Sequence, residues 1–473
     1  MVGHFESEKA RVISSLKAFL CFFLLFLLLE CMFEWVSIHF GYKRYLISLE
    51  LLLAFIVAAF GWWWLGGVIF FLAIGWEAIL GASSILFLFD YSQFKTIAKF
   101  IFEARPAYVG GVIVFLMFAV VLYCGGCHFL KKVSRMHIIS AVIFLVFLQI
   151  AFSFRDGNFL FPALMDRGKL IVGSSIYFSE SIVQQNRQIF NLRSHDNVEY
   201  VPIGWPSAFM QIFGKVVENK AAPSKVLFII AESWGRPNNE VILDAQIGII
   251  KNSRAIRDVR VGTVHAIGAT AFAEFRELCG KVPTKLNLEK ISEEHLGECY
   301  PRMLGRQGYK TISVHGAHGV MYDRLLWYPV VGFGEMIFKE VLPISQDKQC
   351  YSFPGYCDEN LFGMAGDKLN SAEKVFLYWL TLNSHMPYDR RDISKFRESL
   401  CDDVFDAGYK DGLCNYHNLH VQFFEGLAKL VQRKELSGVE VVVVGDHPPI
   451  FGDDLSKGYF KMDEVPFLHF RIK

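Results

Sequence analysis

The chain is poor in charge. Asp, Glu, Lys and Arg together make up 20% of its 473 residues, and 48 Lys and Arg against 47 Asp and Glu leave a formal net charge of +1. Without a basic excess it has little with which to neutralise a phosphate backbone, so nucleic acid is not an expected partner. Internal repeats and low-complexity tracts are also lacking. No small-x-small cleavage site follows the first apolar run, where Glu30 and Glu34 stand instead, which argues against a cleaved signal peptide. Apolar residues, by contrast, are abundant: 53% of the chain, with 45 Phe and a mean hydropathy of +0.31. Such a composition excludes a disordered or collagen-like chain and is too apolar for one ordinary soluble enzyme, so part of the chain is expected in a membrane.

The apolar residues concentrate in the first third. Residues 13–33, 45–60, 64–89, 108–130 and 138–154 each reach or approach the about 20 residues that a spanning helix needs, the second being the shortest. The expected organisation is therefore a five-helix transmembrane domain over 1–154, an amphipathic connector over 155–223, part of which (207–217) could lie along a membrane surface, and an α/β domain over 224–473. An odd number of spans places the two ends of the bundle on opposite sides. With the N-terminus inside, Lys131, Lys132 and Arg135 are inside as the positive-inside rule prefers, while Lys43, Arg44, Lys95, Lys99 and Arg105 fall outside. Cysteine supplies an independent indication. Cys279, Cys299, Cys350, Cys357, Cys401 and Cys414 form an even set in the polar remainder, as in a disulfide-bonded exported domain, and pairing of chain neighbours is expected: 279 with 299, 350 with 357, 401 with 414. The large domain is thus expected outside the cytoplasm.

The clearest strands of that domain are KVLFIIAES (225–233), KTISVHG (310–316), KVFLYWLTLNSH (374–385) and VEVVVVGDH (439–447). Runs this continuously apolar predict strands buried on both faces, as in a mainly parallel sheet covered by helices. Each ends in residues able to perform catalysis or bind metal: Glu232, His315, His385 and the pair Asp446–His447. Ligands of open α/β sheets bind beyond the carboxyl ends of the strands. Two carboxylates and an imidazole suit one divalent ion such as Zn²⁺ or Mn²⁺ and leave a position for a nucleophile. The candidate nucleophile is Thr270, in GATAFAEFRELCG (268–280), at the expected start of a helix whose N–H groups favour an anionic phosphoryl group. The alternative reading of Thr270 is a helix N-cap.

These motifs, AES (231–233), Thr270 followed by Glu274 and Phe275, VHG (314–316), TLNSHMPY (381–388) and VVGDHPP (443–449), resemble those of the alkaline phosphatase and sulfatase superfamily. More narrowly, the chain is similar to the membrane-anchored lipoteichoic acid synthases and phosphoethanolamine transferases, which carry five spans ahead of an extracytoplasmic catalytic domain. The resemblance implies that Glu232, Thr270, Asp446 and His447 hold the metal, with Thr270 also the nucleophile. It implies that His385 contacts the transferred group or protonates the leaving alcohol, and that His315, Tyr322 and Arg324 surround the phosphoryl headgroup, Tyr322 standing where those synthases have Trp. Arg324 would pair with the phosphodiester in bidentate fashion. The Cys-x-Ser/Thr-x-Pro-x-Arg signature of sulfate ester hydrolysis through a formylglycine is absent.

The implied activity is transfer of a phosphoethanolamine or phosphoglycerol headgroup from a phospholipid donor to an envelope glycan or lipid acceptor, through a phosphothreonine. The implied location is the bacterial cytoplasmic (inner) membrane, multi-pass, with the catalytic domain on the periplasmic or extracellular side. A membrane-anchored phosphodiesterase or sulfatase-like hydrolase shares every one of these residues, and a catalytically silent envelope sensor would share the fold. Other features have plainer readings. Cys124 and Cys127 read as membrane packing and Trp62–Trp64 as an interfacial belt. Glu50 and Glu77 are open between function and misplaced helix ends. His417 and His420 read as a solvated helix face, and His265, His318 and His469 as structural.

Overall fold

The computed structural model describes residues 2–40, 47–85, 106–153, 200–218, 223–268, 270–283, 288, 291–342, 345, 348–353, 355–451 and 453–473. The chain divides into two units, 1–189 and 190–473.

In the first unit, helices α1 (Val2–Phe40), α2 (Leu49–Ala59), α3 (Trp63–Ile85), α4 (Pro106–Leu130) and α5 (Arg135–Ser153) fall on the five apolar stretches. Among the described residues, two segments, Ile13–Trp35 and Val109–Leu130, are long and apolar enough to cross a membrane, whereas Leu49–Ala59, Trp63–Ala78 and Met136–Leu145 are shorter apolar helices. The interior is a stack of rings: Phe22 meets Phe55 at 5.2 Å, Phe55 meets Phe70 at 5.6 Å, and Phe70 meets Tyr123 at 4.9 Å between centroids. Gly126 admits the Phe55 ring, since a Cβ there would meet it at 2.6 Å, which favours the packing reading of the Cys124–Cys127 segment. Leu24, Leu72, Val121 and Phe147 point outward, so these helices are apolar on both faces. Lys43, Arg44, Lys95, Lys99, Arg105, the span ends at 45–46, 86–89 and 154, and connector residues 155–199 and 219–222 lie outside the described residues.

The second unit is built on a seven-stranded sheet. Its strands are β2 (Lys225–Ala231), β3 (Ile256–His265), β5 (Lys310–His315), β6 (Glu335–Ile337), β7 (Val375–Leu380), β8 (Glu440–Gly445) and β9 (Glu464–Ile472), in the order β3-β9-β8-β2-β7-β5-β6; β1 (Tyr200–Pro202) and β4 (Lys281–Pro283) form a separate antiparallel pair. The block β8-β2-β7-β5-β6 is parallel, β9 pairs antiparallel with β8, and β3 pairs antiparallel with β9. Side chains of a strand alternate between faces, and here both faces are covered. Leu227, Ile229 and Ala231 join one core with helices α7 (Glu240–Lys251) and α10 (Asp411–Leu430), while Val226, Phe228 and Ile230 join another with α6 (Ala208–Glu218), α8 (Thr270–Cys279) and α9 (Arg324–Val331). Burial of each of the Val, Leu, Ile and Phe side chains among these contributes roughly 1.5–3 kcal/mol. This is why the central strands read as unbroken apolar runs.

Several sequence expectations are modified. Residues 208–218, expected in a surface-lying connector, form α6 and bury Phe209, Phe213 and Val217 in the core beside β2. Residues 293–306 form two short helices, Glu293–Leu296 and Tyr300–Arg306, separated where Gly297 takes φ +64° and with Pro301 at the start of the second. His417 and His420 do not lie on a solvated face. Both are buried in α10, where burial holds their imidazoles down at about 4 and about 3. The three expected disulfides, Cys279–Cys299, Cys350–Cys357 and Cys401–Cys414, are all formed.

Gly445, the last residue of β8, lets the turn after β2 approach: a Cβ there would meet the Trp234 backbone oxygen at 1.9 Å. Because that neighbour is backbone, Gly445→Ala is expected to destabilise the second unit by about 1–3 kcal/mol, read as a lower urea midpoint at an unchanged m-value. An unchanged midpoint would show that the turn has room to move.

Candidate active site

The parallel register assembles the site. Ala231 pairs with Gly445 between β2 and β8, Ile230 with Leu380 between β2 and β7, and His315 with Leu380 between β5 and β7. The residues just past these positions, Glu232, Asp446 and Thr381, therefore emerge at one level beyond the carboxyl ends of neighbouring strands. The chain leaves β2 through Ser233, a non-glycine residue at φ +55°. That turn is held by the Ser233 N–H donating to Asp446 Oδ1 (2.7 Å), and the His447 N–H donates to the same oxygen (2.7 Å).

Glu232, Asp446 and His447 each place a ligand-type atom within 4.8 Å of the others. His447 Nε2 lies 3.5 Å from Glu232 Oε1 and 3.3 Å from Asp446 Oδ2. The other ring nitrogen, Nδ1, pairs with the Pro448 carbonyl at 2.8 Å, so the neutral imidazole carries its hydrogen there and turns the Nε2 lone pair toward the carboxylates. Thr270, first residue of α8 and 7% exposed, donates from Oγ1 to Glu232 Oε2 at 3.3 Å. The sequence-derived set of Glu232, Thr270, Asp446 and His447 is thus one cluster.

The cluster fits a divalent cation. Asp446 Oδ2 is buried without a well-aligned hydrogen bond, two acidic side chains face each other out of water, and the donor set is carboxylate and imidazole. In the protein without an ion, burial opposes the Glu232 charge, but a hydrogen bond from His447 and the positive charges of His385 and His447 outweigh it and hold the carboxyl well below its ordinary range. Burial and the Glu232 charge push Asp446 up to about 7. For His447, burial opposes protonation, yet Asp446 and Glu232 raise it to about 9. A proton on His447 therefore offsets part of the paired negative charge. Cys350, Cys357 and Asp392 also lie close together, but their disulfide removes both thiolates as ligands.

Around this centre stand the other sequence-derived residues. His385 is half-buried, pairs through Nδ1 with the Met386 carbonyl at 2.7 Å and packs its ring on Phe353 at 4.4 Å. His315 pairs through Nδ1 with the Leu380 carbonyl at 2.9 Å. Burial, reinforced by the Arg324 charge, pushes its imidazole down to about 3, so it is neutral and offers Nε2 as an acceptor. Tyr322, at φ +54°, has its ring 5.0 Å from the Arg324 guanidinium. Arg324 differs from the sequence reading. It is buried and its fork grips Glu274, Nη2 donating to Oε2 at 2.9 Å and Nε to the same oxygen at 3.1 Å, while Glu274 Oε1 also accepts from Tyr378 (2.9 Å) and Tyr328. The bidentate face expected for a phosphodiester is occupied by a carboxylate.

Sequence reasoning missed the supports. Thr381 Oγ1 accepts from the Glu232 N–H at 2.9 Å, and Ser384 donates to the Glu232 carbonyl. Asp358 accepts from the N–H groups of Leu382 (3.0 Å) and Asn383 (2.8 Å), holding the loop that carries His385. Arg276 donates to the carbonyls of Gly445 (2.8 Å) and Asp446 (3.1 Å). Glu274 was visible as part of the Thr270 motif, but nothing local marks Asp358 or Arg276 as near the site.

A mainly parallel sheet with carboxylates, an imidazole and a hydroxyl beyond its strand ends defines an enzyme of the hydrolase or transferase kind. The family model for sulfatases matches residues 224–468, and the chain belongs to that family. Among solved structures it is similar to the lipoteichoic acid synthase LtaP from Listeria monocytogenes, at 20% identity and a TM-score of 0.40, covering 53% of this chain and 66%, just under two thirds, of that one. It is also similar to the phosphoglycerol transferase GacH of Streptococcus pyogenes in complex with sn-glycerol-1-phosphate, at 16% identity and a TM-score of 0.39 over 57% of this chain and 78% of that one. A third is the C-terminal periplasmic domain of EptC from Escherichia coli in complex with Zn, at 15% identity and a TM-score of 0.38 over 53% and 73%. No curated protein matches the chain.

Because His447 is raised to about 9 and Asp446 to about 7 without an ion, divalent cation binding has to displace protons. Affinity for Zn²⁺ is expected to rise with pH, by about tenfold per pH unit between 7 and 9 as one proton is released, and to level off above. Calorimetry in buffers of different ionisation enthalpy reads the proton count directly. A pH-independent affinity over that range would contradict the assignment of these ligands.

Proposed function

We propose that the protein is an integral-membrane transferase that moves a phosphoethanolamine or phosphoglycerol headgroup from a membrane phospholipid to an envelope glycan or lipid. The observation that carries this reading is Thr270 Oγ1 at the N-terminus of α8, 3.3 Å from Glu232 and beside the Asp446–His447 pair. One divalent cation, Zn²⁺ or Mn²⁺, held by Glu232, Thr270, Asp446 and His447, would supply the positive charge that lowers the pKa of the hydroxyl and offsets charge in the transition state. A formylglycine route finds no support: every cysteine of the second unit is in a disulfide, and a threonine stands at the candidate nucleophile position.

In the proposed sequence the hydroxyl proton of Thr270 goes to solvent, and Oγ1 forms a bond to phosphorus as the bond from phosphorus to the diacylglycerol oxygen breaks. The imidazolium form of His385 donates the proton that the leaving oxygen takes up. In the second half the acceptor hydroxyl gives its proton to the same imidazole and attacks phosphorus as the bond from phosphorus to Thr270 Oγ1 breaks, and that oxygen takes a proton back from solvent. This is ping-pong transfer through a phosphothreonine diester. His315, neutral, and Tyr322 would contact the headgroup, while Arg324, held by Glu274, contributes its positive charge to that wall of the site. A lipid donor accords with helices α1–α5, apolar on both faces, which we read as a five-span membrane domain in the bacterial cytoplasmic membrane with the catalytic unit outside. The three disulfides accord with that compartment.

The test is the full-length protein in detergent with phospholipid and no acceptor. Intact mass spectrometry is expected to show one headgroup on Thr270 together with one equivalent of diacylglycerol, and Thr270→Ala to lower transfer by ~10³-fold or more with metal content retained. Continuous release of free headgroup phosphate without an accumulated adduct would assign the protein as a phosphodiesterase; unchanged transfer by Thr270→Ala would refute the mechanism.

A further inference from the structure

We propose that Arg276 is a positioning residue that sets the placement of Thr270 relative to the Asp446–His447 pair. The inference rests on the reading of Thr270 as nucleophile and of its neighbours as the cation site. Arg276 touches none of the reacting groups. It lies six residues after Thr270 on the same helix, about 9 Å along the axis at 1.5 Å per residue, and α8 is buried along its whole length.

Its guanidinium is fully enclosed and four of its contacts are defined. Nη2 donates to the Gly445 carbonyl at 2.8 Å, Nη1 to the Asp446 carbonyl at 3.1 Å and to the His265 carbonyl at 3.3 Å, and Nε to Glu277 Oε1 at 2.7 Å. The pairing of β8 with β9 ends at Val444, so the carbonyls of Gly445 and Asp446 have run past that ladder into a buried region where each needs a donor. Arg276 supplies both from one rigid plane. Glu277 orients that plane, and its other oxygen accepts from the Phe209 N–H at 3.0 Å, which fixes α8 to α6.

The nucleophile and the two ligands of β8 are therefore joined by a helix and a planar fork. Lysine preserves the charge beside Glu277 but is a flexible point donor that cannot hold two carbonyls in one geometry. In Arg276→Lys, Asp446 and His447 would be free to shift against Thr270. A misplacement of about 1 Å costs ~10²-fold in rate, and loosened supports of metal ligands cost ~10–100-fold in affinity.

The experiment uses the full-length protein in detergent, comparing wild type, Arg276→Lys, Glu277→Gln and Thr270→Ala for kcat, KM toward phospholipid, and Zn²⁺ dissociation constant by equilibrium dialysis. Arg276→Lys is expected to lose ~10²-fold in kcat per zinc-loaded site with KM within about twofold, and to bind Zn²⁺ ~10-fold more weakly. Glu277→Gln, which loosens the fork without removing it, is expected to shift both quantities in the same direction by less. A merely structural role would lower the folded fraction and leave turnover per loaded site and zinc affinity unchanged. That result in both variants, or a KM that rises as kcat falls, overturns the proposal, and Glu277→Gln alone decides it should Arg276→Lys not accumulate as folded protein. An active Thr270→Ala would sink the functional reading instead, with the zinc affinities of the other two variants still deciding whether Arg276 secures the ligands.

Discussion

Two carboxylates brought side by side out of water repel each other, and the parallel pairing of β2 with β8 imposes that arrangement here. With Ala231 opposite Gly445, Glu232 and Asp446 have to leave the sheet as neighbours, and both are buried. Isolated buried charge is costly unless paired, so the site has to recruit positive charge. In the protein alone it does so by holding a proton on His447. The same geometry fits the cluster to a divalent cation and places the hydroxyl of Thr270 beside it.

The helix carrying Thr270 shows the same economy of paired charge. α8 buries Glu274, Arg276 and Glu277, three charged residues in ten, and each has a defined partner: Arg324, the carbonyls of Gly445 and Asp446 at the end of β8, and the Phe209 N–H. Buried networks of this kind are costly when one member is missing and specify a unique arrangement when complete. They tie α8 to β8, α9 and α6, so the helix connects the Glu232–Asp446–His447 cluster with the wall formed by Tyr322 and Arg324.

The central fold was legible because its strands are buried on both faces, which makes 225–231, 310–315, 375–380 and 440–445 nearly uninterrupted apolar runs. β3 was not, since its middle residues are exposed and carry Arg257, Asp258 and Arg260, and β9 interrupts its apolar run with Pro466, His469 and Arg471. The proximity of Glu232, Asp446 and His447 could be read from strand ends, where residue type and position coincide. The grip of Arg324 on Glu274 could not, because it depends on a contact between residues 50 apart, and neither could the burial of His417 and His420, whose helix packs against α7 rather than facing water. In the first third, hydropathy located the five helices that the described residues form, and among those residues two segments meet both length and composition for a membrane span.

The claim on which this account turns is that Glu232, Thr270, Asp446 and His447 share one cation. Diffraction from zinc-soaked crystals, recorded on both sides of the zinc absorption edge, tests it most directly. One anomalous peak is expected among these four side chains, about 2.0–2.2 Å from the carboxylate oxygens and from His447 Nε2. Stoichiometric zinc bound elsewhere, with no anomalous density between Glu232 and Asp446, would contradict it.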